Sequence, residues 1–283
     1  MQDRTSALSS ASQLMEPSLL TAIGSGLAAT LYLSALARAG LSHGNIAIVA
    51  AVGIAALISG VAGFAFSAIT GAILFQFRHD GVGVVETLMA CSIANQALSV
   101  WLLRRNISAG PLAPFALGGL AGVPIGVWLL LHLDVRAFSM TLGLFLVAYG
   151  GWMLMRPQLV LPGTGRAVDA AIGFAGGAIG GLTANPGAAV SIWCGMKGWD
   201  KVRQRAVFQP FILIMQIAAL IAIAAIHAQG APSRGIPGLA WVCVPAGLLG
   251  TWWGMALFRR MHDRHFTKAI NLLLIASGVA LAL

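Results

Sequence analysis

The chain has 283 residues, of which 58% are hydrophobic and only 9% are charged. Because about 25% of the residues in an ordinary soluble domain are charged, this composition excludes a soluble globular protein or a fused soluble enzyme. The net charge of +9 comes from Lys and Arg in short stretches between apolar segments. The positive-inside rule explains that distribution better than nucleic-acid binding does.

Charge-free segments follow one another along almost the whole chain. They cover 17–37, 39–77, 87–103, 106–133, 137–155, 170–196, 206–233, 235–258 and 269–283. Each is long enough, or nearly so, for the ~20 residues that a transmembrane helix needs. The sequence therefore predicts an all-α polytopic membrane protein embedded in the lipid bilayer. Residues 1–44 form an N-terminal extension in which we expect one further transmembrane helix, because it lacks the features of a cleaved signal.

Two segments of the chain, 45–156 and 167–283, are homologous to each other. A shift of 128 residues aligns Gly119, Gly122, Gly126, Arg136, Phe138 and Leu146 with Gly247, Gly250, Gly254, Arg264, Phe266 and Leu274. A shift of 121 residues aligns Ile58, Gly60 and Ala68 with Ile179, Gly181 and Ala189. Self-similarity at a fixed spacing indicates an internal repeat, so the sequence predicts two homologous halves.

Each half begins with a long charge-free stretch that small residues interrupt near its middle, at 59–64 and at 180–187. Pro186 removes a backbone donor and disfavours helical geometry at Asn185, while the glycines lower the free-energy cost of leaving the helix. Interrupted apolar segments at matched positions of two repeats indicate the binding site of a transporter. The alternative is that these small residues serve close helix packing.

Two topologies fit the interrupted stretches. If each stretch crosses the membrane, the halves are parallel, and the Lys and Arg residues divide eleven against six between the two faces. If each stretch is a re-entrant hairpin with two arms of ~14 residues, the halves are inverted and the division is thirteen against four. The second division obeys the positive-inside rule better. We therefore expect inverted repeats, each a broken hairpin plus three transmembrane helices, with a cytoplasmic N-terminus and an external C-terminus.

Glycine patterns in both halves resemble those of a known family. Residues 58–64, the Gly-rich segment 118–126, its second copy at 245–254 with Arg259 and Arg260, and the closing stretch 266–283 resemble the TauE/SafE family of sulfite and organosulfonate exporters, the toluenesulfonate uptake permease type. The resemblance covers about 45–283. It implies a multi-pass protein of the bacterial inner membrane that moves sulfite, sulfonates or related sulfur-containing or carboxylate anions.

The interrupted stretches supply most of the candidate substrate-binding residues. No Lys or Arg lies deep inside an apolar segment of the sequence, so we expect backbone N–H groups at half-helix N-termini and neutral side chains to hold an anion. The candidates are Ser59, Gly60, Gly63, Phe64, Ser67, Gly181, Thr183, Asn185, Pro186 and Gly187, with Thr70 and Ser191 as further hydroxyls. The alternative for each hydroxyl is a bond to a carbonyl of its own helix.

Amides and one acid lie in the apolar segments that follow. Gln96 and Gln216 align at a shift of 120 residues and, like Asn95 and Gln209, either bond between helices or face the substrate. Glu86 is the candidate for proton coupling because it is the only acid inside an apolar run, although an acid is also favoured near a helix N-terminus for electrostatic reasons.

The function that these features predict is secondary transport of a small oxyanion, with export of sulfite or an organosulfonate as the expected activity. The alternative is an importer or channel for a small sulfur-containing or carboxylate anion on the same fold. The sequence contains no phosphate-binding loop for ATP and no catalytic constellation, so we expect neither an ATP-driven pump nor an enzyme. We expect no cofactor or metal, and the oligomeric state, a homo-oligomer included, stays open.

Overall fold

The fold is a bundle of helices. The structure, a computed structural model, describes residues 43–64, 66, 67, 69, 70, 74, 81–132, 135–155, 161, 165–183, 186–227 and 238–282. The regular elements within these residues are all helical: α1 His43–Ala62, α2 Gly81–Leu103, α3 Ala109–His132, α4 Val135–Met155, α5 Arg166–Thr183, α6 Gly187–Met196, α7 Lys201–His227, α8 Gly238–Arg260 and α9 Asp263–Ala282. The helix expected at 19–37 lies outside the described residues.

The outer surface of the bundle is apolar. Two described stretches, Ala109–Leu129 and Lys201–Ala222, are long and apolar enough to cross a membrane, and each has a mean hydropathy of 1.7. Large apolar side chains are exposed on several helices, among them Leu117, Trp128, Leu144, Trp152, Ile221, Trp253 and Leu272. Exposed apolar surface on this scale marks contact with a partner or a membrane, as expected for a polytopic membrane protein.

Glycines bring two pairs of helices into backbone contact. Gly118, Gly122 and Gly126 of α3 lie against Ala170, Phe174 and Ala178 of α5, so closely that an added Cβ would collide with the α5 backbone. Gly250 and Gly254 of α8 contact the backbone at Gly53 and Leu57 of α1 in the same way. Residue numbers increase together along both contacts, so α3 is parallel to α5 and α1 is parallel to α8. In each pair, close approach depends on the missing side chain.

Two other helix pairs are antiparallel. In the first pair, Gln96 and Ser92 of α2 bond to Gln209 and Gln216 of α7, respectively. In the second pair, Gly150 of α4 packs against Asn271 and Ile275 of α9, while Gly143 and Val147 pack against Gly278. Along each contact, residue numbers fall in one helix as they rise in the other. Helix α2 is therefore antiparallel to α7, and α4 is antiparallel to α9.

Helices α5 and α6 form a hairpin. Asp169 of α5 accepts hydrogen bonds from Trp193 Nε1 at 2.8 Å and from Lys197 Nζ, just beyond α6, at 2.6 Å. At the other end, a Cβ built at Gly180 would lie 2.6 Å from the Cβ of Pro186. The arms have 18 and 10 residues, or about 27 and 15 Å at ~1.5 Å per residue. The expected equal arms of ~14 residues are therefore wrong for this hairpin, and α6 is too short to cross a ~30 Å hydrocarbon core.

Basic residues gather at one end of the bundle, which we call the cationic end. Lys201 Nζ donates to the carbonyls of Phe258, at 2.9 Å, and Met261, and Arg259 donates to the carbonyl of Leu102 at 3.3 Å. The bonds of Lys201 join the start of α7 to the end of α8, and the bond of Arg259 joins the end of α8 to the end of α2. The cationic end comprises Arg104, Arg105, Arg166, Lys197, Lys201, Arg203, Arg259, Arg260, Arg264 and Lys268.

Candidate functional site

The first interrupted stretch ends a helix where the sequence predicted a break. Helix α1 stops at Ala62, and Gly63 has a φ of +93° that side chains strongly disfavour. The Gly63 N–H donates to the carbonyl of Ser59 at 2.5 Å, and the Ser59 hydroxyl donates to the carbonyl of Phe64 at 2.8 Å. All of these residues are buried. We call Gly63 and Phe64 the first tip.

The second interrupted stretch turns between α5 and α6. Pro186 and Gly187, which we call the second tip, are buried, and none of the described side chains caps the N-terminus of α6. A Cβ built at Gly187 would lie 3.1 Å from the Cβ of Phe64 and 2.5 Å from the Cδ1 of Ile212. The two tips are therefore in contact beside α7. Asn185 and the side chain of Thr183 lie outside the described residues.

A fully buried arginine binds the end of α1. Arg205 is 0% exposed, and its guanidinium donates to the carbonyl of Gly60 at 2.6 Å and to that of Val61 at 3.0 Å. Its Nε donates to Gln209 Oε1 at 2.7 Å, and its Cζ lies 4.4 Å from the ring centroid of Phe258. The carbonyl groups that a helix leaves unpaired at its C-terminus carry partial negative charge, so a guanidinium is well matched to this position.

The expectation that no Lys or Arg lies deep in an apolar region is wrong at Arg205. The apolar segment begins at 206, but α7 begins earlier, at Lys201, with Asp200 accepting bonds from the backbone N–H groups of Val202 and Arg203. Arg205 is thus a residue of the first helical turns rather than of a loop. Its spacing of four from Gln209, which puts both side chains on one helix face, is the signal that could have identified it.

A chain of amides continues from Arg205 to the first tip. Gln209 Nε2 donates to Gln96 Oε1 at 2.6 Å, and Gln96 Nε2 donates to the carbonyl of Gly63 at 3.3 Å. Charge-assisted and amide hydrogen bonds in a low-dielectric environment polarise one another and fix the groups that share them. The chain therefore links α7, α2 and the first tip into one polar unit.

Several buried polar atoms have no hydrogen-bond partner within the described part of the chain. Gln216 Nε2 donates to the hydroxyl of Ser92 at 2.7 Å, but Gln216 Oε1 is unpaired. The same holds for both amide atoms of Asn95 and for the hydroxyl of Thr70. Burying such atoms without a partner costs about 1–3 kcal/mol each. These atoms are therefore the ones most able to accept a bound water, ion or substrate.

A family model described as sulfite exporter TauE/SafE matches residues 47–281. The match covers most of the chain. This protein belongs to the TauE/SafE family. No curated protein and no solved structure matches it. TauE/SafE proteins are membrane transporters rather than enzymes, and the resemblance seen in the sequence is confirmed.

The other candidate residues of this TauE/SafE protein differ in their surroundings. Gly60 packs against Gly254 of α8, and Gly181 packs against the α3 backbone at Val123 and Gly126. These contacts fit the packing interpretation of both glycines. Ser67 is half-buried, and the Ser191 hydroxyl donates to the carbonyl of Ala188 in its own helix at 2.9 Å, as the alternative for hydroxyls predicted.

The coupling candidate Glu86 lies in the second turn of α2, and its side chain lies outside the described set. The described residues contain no group of three His, Cys, Asp or Glu side chains that could hold a metal ion. Cys91, Cys194 and Cys243 are buried and not in disulfide bonds. The polar unit and the two tips form the candidate functional site of this TauE/SafE protein.

Proposed function

We propose that this TauE/SafE protein is a secondary transporter that exports a small oxyanion, sulfite or an organosulfonate, across the bacterial inner membrane. The observation that carries the proposal is the contact between the two tips beside a buried Arg205. Helix interruptions at the centre of a membrane protein, next to polar groups that face its interior, mark substrate paths.

The electrostatics of the tips favour an anion. The N-terminus of α6, which no described side chain caps, presents backbone N–H groups and the positive end of a helix dipole. Arg205 uses three of the five N–H donors of a guanidinium in its bonds to Gly60, Val61 and Gln209. Its positive charge is only partly balanced by carbonyl dipoles. The Asn95 amide, which has no partner among the described residues, adds a further donor. None of these groups has a buried carboxylate in its described surroundings.

Inverted repeats are the arrangement that the helix directions support. When the halves are aligned, α2 corresponds to α7 and α4 corresponds to α9. Repeats related by an axis in the membrane plane make corresponding helices antiparallel, whereas parallel repeats make them parallel. The hydrogen bonds Gln96–Gln209 and Ser92–Gln216 show that α2 is antiparallel to α7. The contacts between α4 and α9 show that these two helices are also antiparallel. The short α6 arm supports a re-entrant hairpin in the second half.

The orientation follows from the cationic end, which the positive-inside rule assigns to the cytoplasm. We expect single cysteines at Asn106, Gly165 and His262, in a variant whose three native cysteines are replaced by alanine, to react with an impermeant reagent from the same cytoplasmic face. A parallel arrangement would put Asn106 and Gly165 on the face opposite His262, so labelling from two faces would refute inverted repeats. A C-terminal tag should be accessible from outside.

Binding and flux of sulfite test the function itself. A ligand that binds only the folded state stabilises it by about 2.7 kcal/mol at 100 times its Kd. We therefore expect millimolar sulfite to raise the thermal midpoint of the detergent-solubilised protein, relative to chloride at equal ionic strength. Reconstituted vesicles should show sulfite flux whose direction follows the imposed pH or voltage gradient. If sulfite, sulfonates and sulfoacetate change neither midpoint nor flux while a cation or sugar does, the proposal is wrong.

A further inference from the structure

Two arginines from different helices meet at the C-terminal end of α2. Arg104, in the turn that follows α2, donates from its guanidinium to the carbonyl of Trp101 at 3.0 Å. Arg259, in the last turn of α8, donates to the carbonyl of Leu102 at 3.3 Å. Consecutive carbonyl groups of one helix thus hold the two guanidinium groups. We call Trp101, Arg104 and Arg259 the interfacial cluster.

The positive charge of the interfacial cluster is not balanced by a described carboxylate. Neither Arg104 nor Arg259 forms an ion pair within the described part of the chain. The carbonyls at the end of α2 supply only partial negative charge. Each guanidinium also keeps N–H donors beyond the one bonded to a carbonyl. Because like charges on neighbouring carbonyls repel each other, an anion that binds both arginines is favoured here.

The cluster lies where the apolar surface of the bundle meets its cationic end. Trp101 is 43% exposed, and the Arg104 Cζ lies 4.6 Å from the centroid of its ring. Arg104 and Arg259 are exposed as well. Tryptophan is typical of the membrane–water interface, because its ring is apolar and its N–H is polar. The two guanidinium groups therefore lie at the level of lipid headgroups, beside a ring that suits an acyl chain.

Other cations at the same end have different surroundings. Lys197 forms an ion pair with Asp169 at 2.6 Å, and the half-buried Lys201 donates to two carbonyls at the end of α8. The interfacial cluster instead combines exposed guanidinium groups from two helices with an exposed tryptophan. This combination fits a ligand that has both an anionic headgroup and a hydrocarbon chain.

We propose that the interfacial cluster binds an anionic phospholipid of the cytoplasmic leaflet. The lipid phosphate accepts hydrogen bonds from Arg104 and Arg259, and an acyl chain lies against Trp101. Basic sites at the cytoplasmic ends of transmembrane helices recognise anionic headgroups in this way. The positive charge favours an anionic lipid over a zwitterionic one, and the ring of Trp101 favours a lipid over a free phosphate. Lipid binding here does not depend on which substrate is transported.

The test follows the thermal midpoint of the detergent-solubilised full-length protein as dioctanoyl phosphatidylglycerol is added. A ligand that binds only the folded state raises this midpoint. We expect the double substitution Arg104→Gln and Arg259→Gln to increase the lipid concentration for the half-maximal rise by about tenfold to thirtyfold, because each arginine contributes a gain of about fivefold. If the double variant does not fold, each single substitution should increase that concentration by about fivefold.

Arg166→Gln is the matched control. Arg166 is exposed in the first turn of α5 at the cationic end, and α5 packs mainly on α3, α6 and α7, away from the cluster. This variant should keep the wild-type response to lipid. The double substitution Arg104→Lys and Arg259→Lys keeps both charges, so it should respond at lower lipid concentrations than the glutamine variant.

Three results would overturn the lipid site. The first is a wild-type lipid response in the double glutamine variant. The second is an equal rise in midpoint with dioctanoyl phosphatidylcholine, which has no net charge. The third is an equal rise with glycerol 1-phosphate at the same concentrations and with the same dependence on the two arginines, because the cluster would then bind a free phosphate ester.

Discussion

Replacing Arg205 by methionine should reduce sulfite flux at least about tenfold and destabilise the protein by about 3 kcal/mol. The substitution leaves the carbonyls of Gly60 and Val61 and Gln209 Oε1 without the donors that they have now. The desolvation cost of the guanidinium disappears with it, so the net effect is smaller than the sum of the lost bonds. Flux in reconstituted vesicles and the thermal midpoint in detergent measure the two effects.

Arg203 provides a matched control two residues away. It is exposed at the cationic end, with its Cζ 4.6 Å from the ring centroid of Trp199, so Arg203→Met should change flux and midpoint little. Arg205→Lys separates charge from geometry, because lysine keeps the charge and lacks the planar fork that reaches two carbonyls at once. We expect it to be intermediate. Wild-type flux and midpoint in Arg205→Met would show that the guanidinium does not hold the first tip.

Gly63→Ala is the second substitution for which we expect a large effect. A φ of +93° is costly for alanine, by about 1–2 kcal/mol. In addition, the new Cβ would lie 2.5 Å from Phe208 Cε2 and 2.8 Å from Gln209 Oε1, contacts that require these buried side chains or the tip to move. Movement of the tip breaks the bond from Gln96 to the Gly63 carbonyl. We expect flux to fall at least about tenfold and the unfolding free energy to fall by about 2–4 kcal/mol.

Gly151→Ala is the control for this substitution. Gly151 lies within α4, and a Cβ built there meets no atom within 4 Å. Alanine is favoured over glycine inside a helix by about 0.5–1 kcal/mol, so this variant should keep wild-type flux and a midpoint at or slightly above that of the wild type. If Gly63→Ala also kept wild-type flux and a wild-type midpoint, the first tip would tolerate an added side chain, and the prediction would be wrong.

Local chemistry made the helix breaks predictable. A proline after Asn185 and glycines at matched positions disfavour a continuous helix whatever surrounds them, and α1 and α5 end within these stretches. The role of each glycine was not predictable, because a glycine at a break and a glycine at a helix crossing have the same side chain. Gly63 has the positive φ, whereas Gly60 and Gly181 lie at crossings with α8 and α3.

Long-range contacts determine which of the buried amides have partners, and the sequence does not show these contacts. The amides of Gln96 and Gln216 were expected either to bond between helices or to face a substrate, and both bond between α2 and α7. Asn95, the neighbour of Gln96, has no partner among the described residues. Helical spacing alone does not predict that Gln96 is hydrogen-bonded and Asn95 is not, because the outcome depends on which helix packs beside each residue. The burial of Arg205 likewise depends on α1 ending against α7, a contact between residues about 145 positions apart.

The parallel glycine contacts have a mechanical consequence. The first helix of each predicted half packs backbone to backbone on the penultimate helix of the other, α1 on α8 and α5 on α3. These contacts join helices from the two predicted halves. Neither half can move away from the other as a rigid body without breaking its closest backbone contacts. Any alternation between inward-facing and outward-facing shapes therefore has to move α1 together with α8 and α3 together with α5.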